Sequence, residues 1–137
     1  FADEAWLEND AIFVMSHFGA YTEEAEVNCA IMAAQTLKYF LETGNIVNSV
    51  NFPGVDIAMH SPIRITVINK NIPNMVGQIS SGLAKYFINI EDILNRSRGN
   101  YAYTVIDIAE TDQAVLDEVV ENFKKIDGIV NVRVIRR

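Results

Sequence analysis

Positive charge, cysteine and closely spaced glycine are all scarce in this chain, and each scarcity narrows what it can do. Eleven Lys and Arg stand against 18 Asp and Glu, for a formal net charge of −7 and a pI near 4.7. A surface of that sign repels phosphate backbones, and no cluster of basic residues with interleaved aromatics offsets it, so nucleic acid is not an expected partner. The basic end, Ile135-Arg136-Arg137, reads as a solvated strand end. The single cysteine, Cys29, cannot form an intrachain disulfide. Set among small apolar residues, it reads as a buried, inert thiol in a reducing cytoplasm. No apolar run approaches the roughly 20 residues that span a bilayer, and no basic-then-apolar leader opens the chain, so neither membrane nor export is expected. The seven glycines (19, 44, 54, 77, 82, 99 and 128) never fall in the tight spacing of a dinucleotide-binding turn. The first residue is Phe1 and not methionine, as expected either of a cut product or of a processed start.

What is present is globular. Half of the 137 residues are hydrophobic and 21% are charged, a balance that supports a packed core. The pattern divides the chain into three parts: residues 1–50, a joint over 51–62, and residues 63–137. In the first, Ala11-Ile12-Phe13-Val14-Met15 is a continuous apolar run of the kind found in sheets buried on both faces, and it is expected to be a strand. Thr22 then offers an N-cap, Glu23, Glu24 and Glu26 suit the first turn of a helix, and Val27, Ile31, Ala34, Leu37 and Leu41 recur along one face. Gly44 follows as a C-cap. Residues 1–50 hold too little else to cover that stripe, so the helix is expected to need a partner surface. The punctuation of residues 45–62 (Asn-Ser, Pro-Gly, Ser-Pro) reads as a linker. His60 within it reads as an exposed loop histidine, and no metal site is expected.

From Ile63 the rhythm is strand, helix, strand, strand, helix, strand. Ile63, Ile65 and Val67 alternate with Arg64 and Thr66, as in a half-buried strand. Pro73 marks a turn, and Met75, Ile79, Leu83 and Phe87 share a helical face. A strand over 89–98 turns at Gly99-Asn100 into another over 101–109. Thr111 or Asp112 caps a second helix with Leu116, Val119, Val120, Phe123 and Ile126 inward; Gly128 ends it before the strand of Val130, Val132 and Val134. This βαββαβ order predicts an α+β, ferredoxin-like module: an antiparallel sheet with both helices on one face. Right-handed crossovers place the first strand between the third and the fourth. One sheet face then has no helix over it, and the edge strands invite pairing with another copy, so a homodimer or higher homo-oligomer is expected.

The stretch Asn69-Lys70-Asn71-Ile72-Pro73-Asn74-Met75-Val76-Gly77-Gln78-Ile79, between a strand and a helix and followed by Ile88-Asn89-Ile90, resembles the corresponding part of ACT domains. In the first part, Ser16-His17-Phe18-Gly19-Ala20-Tyr21-Thr22-Glu23-Glu24-Ala25 resembles the Pro-His-Leu-Gly-Ala-Ser-Thr segment of D-2-hydroxyacid dehydrogenases, with Ser16 for the usual Pro and Tyr21 for the usual Ser. Asn45-Ile46-Val47-Asn48-Ser49-Val50-Asn51-Phe52-Pro53 is similar to the joint that leads into the ACT domain of phosphoglycerate dehydrogenases. The resemblance implies a detached end of the dehydrogenase body followed by an ACT regulatory domain. It implies that His17 is the acid–base residue of a parent enzyme that oxidises 3-phosphoglycerate with NAD in serine biosynthesis. The fragment itself is expected to bind no NAD and to be inactive, because the rest of that site is absent from it.

For the ACT part the resemblance implies a small amino acid effector, L-serine foremost, held by Asn69, Asn71 and, from the other subunit, Asn89. The residues themselves suit that chemistry. A helix starting at Met75 presents free N–H groups and a positive dipole end to a carboxylate, Pro73 and Asn74 shape the loop, and amide side chains accept from an ammonium. The family's serine sensors carry His at the place of Asn69, and Gly is common at that of Asn74. The alternative reading is an oligomerisation module without effector, its asparagines chosen for turn chemistry.

Overall fold

The computed structural model describes residues 10–13, 15–19 and 21–137. The chain divides into two compact units, the first ending at Gln35 and the second spanning Thr36–Arg137. Within the first, the strand expected over residues 11–15 is not formed. Ala11 lies in a turn, and Ile12, Phe13 and Met15 are irregular and exposed, while Val14 lies outside the described residues. An apolar run becomes a buried strand only beside other strands, and the only sheet among the described residues is built from 63–136. His17 and Phe18 are exposed, Phe18 meeting Tyr21 edge to face at 5.7 Å.

The expected helix forms as α1, Glu23–Thr43, with Thr22 Oγ1 accepting from the Ala25 N–H at 3.1 Å and three glutamates in its first turn. No residue of α1 is buried; Val27, Ile31, Leu37 and Leu41 are all at least half exposed. Cys29, expected to be buried, is exposed with them, because the face it stands on has nothing to pack against within the described chain.

The second unit carries the module. β1 (Ile63–Lys70), α2 (Met75–Ala84), β2 (Ile90–Arg98), β3 (Tyr101–Ile108), α3 (Gln113–Lys124) and β4 (Ile129–Arg136) follow in the expected order. The sheet runs β2-β3-β1-β4, all neighbours antiparallel, so β1 lies inside and β2 and β4 are the edges. Ile63, Ile65, Val67, Ile106 and Ile108 of the inner strands pack against Ile79 and Leu83 of α2 and Leu116, Val119 and Phe123 of α3, all fully buried. α2 stops at Ala84, short of the expected Phe87, which stands almost wholly exposed at φ 58°.

The other face of the sheet is not bare. The stretch expected to be a loose linker folds back over it: Ile46 and Val55 form a two-residue bridge and, with Phe40, Phe52 and Ile57, pack on Tyr103, Val105, Ile68 and Leu94. β1 is therefore buried on both faces and not half-buried, Arg64 included. Arg64 is the fastener. Its Nε and Nη2 donate to the two carboxylate oxygens of Asp107 at 2.6 and 2.8 Å. Nη1 donates to Thr43 O, Ile57 O and Asn45 Oδ1, and Nη2 to Ala58 O. A buried guanidinium is tolerated only when its donors are met, and here one residue ties the end of α1 and both arms of the linker to the sheet. Gly44 makes the approach possible. It caps α1 at φ 71°, and a Cβ there would meet Thr66 Cγ2 at 2.7 Å and Ile135 Cδ1 at 3.0 Å.

Candidate functional site

At the far end of β1 from Arg64 the helix-side face of the sheet opens into a cavity of about 150 Å³. Strand alternation puts Asn69, Asn95 and Ala102 on this face, on three adjacent strands. The β1–α2 turn and the first turn of α2 supply the rest: Asn71, Ile72, Asn74, Met75, Val76 and Gly77. No charged side chain lines it.

The turn is held from two directions. The Asn71 N–H donates to Asn100 O at 2.8 Å and its Nδ2 to Gly99 O at 3.1 Å, which ties it to the β2–β3 turn. Asn74, the residue before α2, adopts a left-handed conformation (φ 66°, ψ 11°), and its carbonyl accepts the first helical bond from Gln78 N–H at 3.0 Å. That conformation is the one glycine favours, and asparagine tolerates it better than most residues. The Asn74 side chain makes no capping bond and lies over Gly77, where a Cβ would stand 2.4 Å from Asn74 Oδ1. The first turn of α2, whose N–H groups have no helical partners, borders the cavity through Met75, Val76 and Gly77.

Asn69 is the chemical centre. It is 1% exposed, and its Nδ2 donates to Lys70 O at 2.8 Å. Its Oδ1 is the only buried side-chain polar atom without a hydrogen-bond partner among the described residues. Turning the amide over brings two carbonyl oxygens face to face, so the orientation is set by Lys70 and the oxygen is left as a desolvated acceptor. Such a group costs about 1–3 kcal/mol until a donor reaches it. Beside it, Asn95 Nδ2 donates to Thr104 Oγ1 at 2.7 Å.

Of the residues singled out in the sequence, Asn69, Asn71, Asn74 and Met75 line this one cavity, and Pro73 lies in the turn that builds it. Asn89 does not meet them within the chain. It precedes Ile90, which pairs with Ile108 at the opposite end of β3 from Ala102. His17 is exposed in the first unit. Asn95 and Ala102 went unread, although a polar residue in register with Ile93 on the core side of a strand was the available sign. A second, larger groove, about 300 Å³, lies between α2 and α3 and shares Asn74 and Gly77 with the first.

The residues present do not fit NAD. The β1–α2 turn is Asn71-Ile72-Pro73-Asn74, without a glycine, and the chain has no closely spaced glycine set elsewhere. Among the described residues no three His, Cys, Asp or Glu stand together in a way that could hold a metal ion, and no helix is long and apolar enough to cross a membrane.

No family model matches the sequence. Among curated proteins, the chain is 30% identical over 129 residues to D-3-phosphoglycerate dehydrogenase 2 of Saccharomyces cerevisiae, covering 90% of this chain and 27% of that one. It is 28% identical over 128 residues to D-3-phosphoglycerate dehydrogenase of Escherichia coli K12, covering 93% and 31%. The chain thus spans less than a third of the length of these relatives. Similar solved structures include the ACT domain from GTP pyrophosphokinase of Chlorobium tepidum, with a TM-score of 0.49 and 18% identity over 53% of this chain and 95% of that one. Another is an ACT domain protein from Streptococcus pneumoniae, with a TM-score of 0.47 and 21% identity over 54% and 86%.

Proposed function

We propose that this chain, 30% identical over 129 residues to a D-3-phosphoglycerate dehydrogenase, is the amino-acid-sensing, dimerising module of such an enzyme, with L-serine as effector. The observation that carries this reading is the orphaned Asn69 Oδ1, 1% exposed, in a small uncharged cavity at a helix N-terminus. A free amino acid brings what the cavity needs. Its ammonium donates to Asn69 Oδ1, and its carboxylate accepts from the first-turn N–H groups of α2 under the helix dipole. About 150 Å³ admits a small side chain, and walls without a charge suit a ligand with no net charge of its own. Serine adds a hydroxyl, for which the amides of Asn71 and Asn95 are near.

Asn89 of a second copy completes the site if two sheets join edge to edge, since a two-fold between edge strands exchanges their ends. Ligand held at such a seam stabilises the pair by mass action, and the coupling is reciprocal. In the whole enzyme, which on this reading oxidises 3-phosphoglycerate with NAD, serine at the seam restrains the body through its joint and lowers turnover. His17 serves there as acid–base residue, completed by groups this chain does not contain.

Titration calorimetry of the chain with L-serine tests the reading. Saturable heat is expected, together with its loss in Asn69→Leu, whose folded state keeps the shape but lacks the acceptor. A folded dimer that takes up no serine at millimolar concentration supports instead an oligomerisation module without effector. Asn74, whose side chain narrows the approach to Gly77, is the feature that favours that second reading.

A further inference from the structure

Two spaces meet at the start of α2. The cavity of about 150 Å³ reaches it from β2 and β3, through Asn95 and Ala102, and the groove of about 300 Å³ reaches it from α3, through Asn122. Asn74 and Gly77 line both. A Cβ on Gly77 would stand 2.4 Å from Asn74 Oδ1 and 3.6 Å from its Cγ, so any other residue at 77 displaces that carboxamide. Apart from the backbone of its own helix, no other atom comes within 4 Å of that point. Gly77 is thus a seat cut for one side chain.

Neither residue serves the helix where it stands. Asn74 has a left-handed backbone (φ 66°), which glycine adopts freely and a residue with a Cβ adopts at a cost, and its side chain makes no capping bond in exchange. Gly77 puts the poorest helix former after proline into the first turn of α2. Local preference would place glycine at 74 and a side chain at 77. The sequence has them the other way round, and the product of that choice is a carboxamide lying across the line where cavity and groove touch.

We infer, on the effector reading above, that the Asn74 carboxamide is a partition between the two spaces and restricts the effector to amino acids with a short side chain. Asn69 Oδ1 and the first turn of α2 answer the ammonium and carboxylate, which every amino acid carries, so they do not choose among side chains. The choice falls to what the side chain meets next. A hydroxymethyl group stops short of the partition; a longer chain runs into it. Behind it the groove holds what a polar tail needs. Gln78 Nε2 has only Met75 Sδ, at 3.9 Å, Ser81 and Asn122 stand along the same wall, and Lys85 forms no ion pair among the described residues. With the carboxamide removed, the two spaces become one site that suits an amino acid of glutamine's length.

Titration calorimetry of the chain and of Asn74→Gly, each with L-serine and with L-glutamine, tests this. Glycine favours the backbone conformation at 74, so the variant should melt no lower than the parent, which circular dichroism verifies. The parent is expected to give heat with serine and none with glutamine. Asn74→Gly should bind glutamine about tenfold or more tightly than the parent does, and serine no more weakly. Adding Gln78→Leu, at an exposed position, should abolish the gain for glutamine and leave serine unchanged. A parent that takes glutamine as readily as serine, or an Asn74→Gly chain that binds serine and still refuses glutamine, overturns the partition and leaves the effector reading standing. Glutamine binding that survives Gln78→Leu unchanged also overturns it, because the tail then lies outside the groove. Glutamine uptake by Asn74→Gly from a parent that binds neither ligand keeps the partition and removes serine as effector. Two chains that bind neither sink both.

Discussion

Replacing Arg64 by leucine removes the donors that hold the linker against the sheet, and the size of the effect can be worked out from what is stranded. Asp107, 3% exposed, loses both of its charge-assisted bonds, and Thr43 O, Ile57 O, Ala58 O and Asn45 Oδ1 each lose one. Breaking a buried pair from one side costs about 3–5 kcal/mol. Urea denaturation of Arg64→Leu should therefore show a deficit of about 3–5 kcal/mol near neutrality. Arg64→Leu combined with Asp107→Leu should recover much of the loss, because no charge is then left unmet. A deficit under about 1 kcal/mol would refute the view that this pair fastens the linker.

Two further outcomes follow from the same region. Gly44→Ala should destabilise by about 2–3 kcal/mol and Gly99→Ala by about 1 kcal/mol. Both glycines have positive φ (71° and 60°), but a Cβ at Gly44 strikes Thr66 and Ile135 whereas one at Gly99 meets open space. Equal losses in thermal unfolding would count against a tight seam under α1. Burial raises the Tyr103 phenol above its ordinary value of 10.0, and its hydroxyl donates to Gly44 O at 2.6 Å. The stability held by the neutral phenol is present below that ordinary value and declines as pH rises through the raised one. Tyr103→Phe should cost about 1 kcal/mol at neutral pH, with the gap to the parent closing in strong alkali. A gap that is constant with pH removes Tyr103 from the account.

The element order, the strand order and most of the cavity were legible because local patterns and the global arrangement agree over 63–137. Alternation in Ile63, Ile65 and Val67, the stripe of Leu116, Val119 and Phe123, and the Asn-Ile-Pro-Asn turn each have one reading consistent with their neighbours. Where the reading failed, a second surface was invisible. Arg64 and Thr66 look like the wet face of a strand, yet β1 is covered on both sides. The sign was across the ladder and not along it, since Arg64 stands directly opposite Asp107 on the neighbouring strand. The apolar run at 11–15 and Cys29 in α1 failed for the opposite reason: both need a neighbour that the described chain does not supply. Asn89 and Asn71 were grouped by resemblance, and the structure sets them at opposite ends of one sheet.

The sealed back of the sheet decides how motion can leave the module. A slack tether absorbs displacement; a strip of chain stapled at Thr43, Asn45, Ile57 and Ala58 by one guanidinium does not. A twist imposed on β1 is therefore expected to reach Thr43, at the end of α1, through that one side chain.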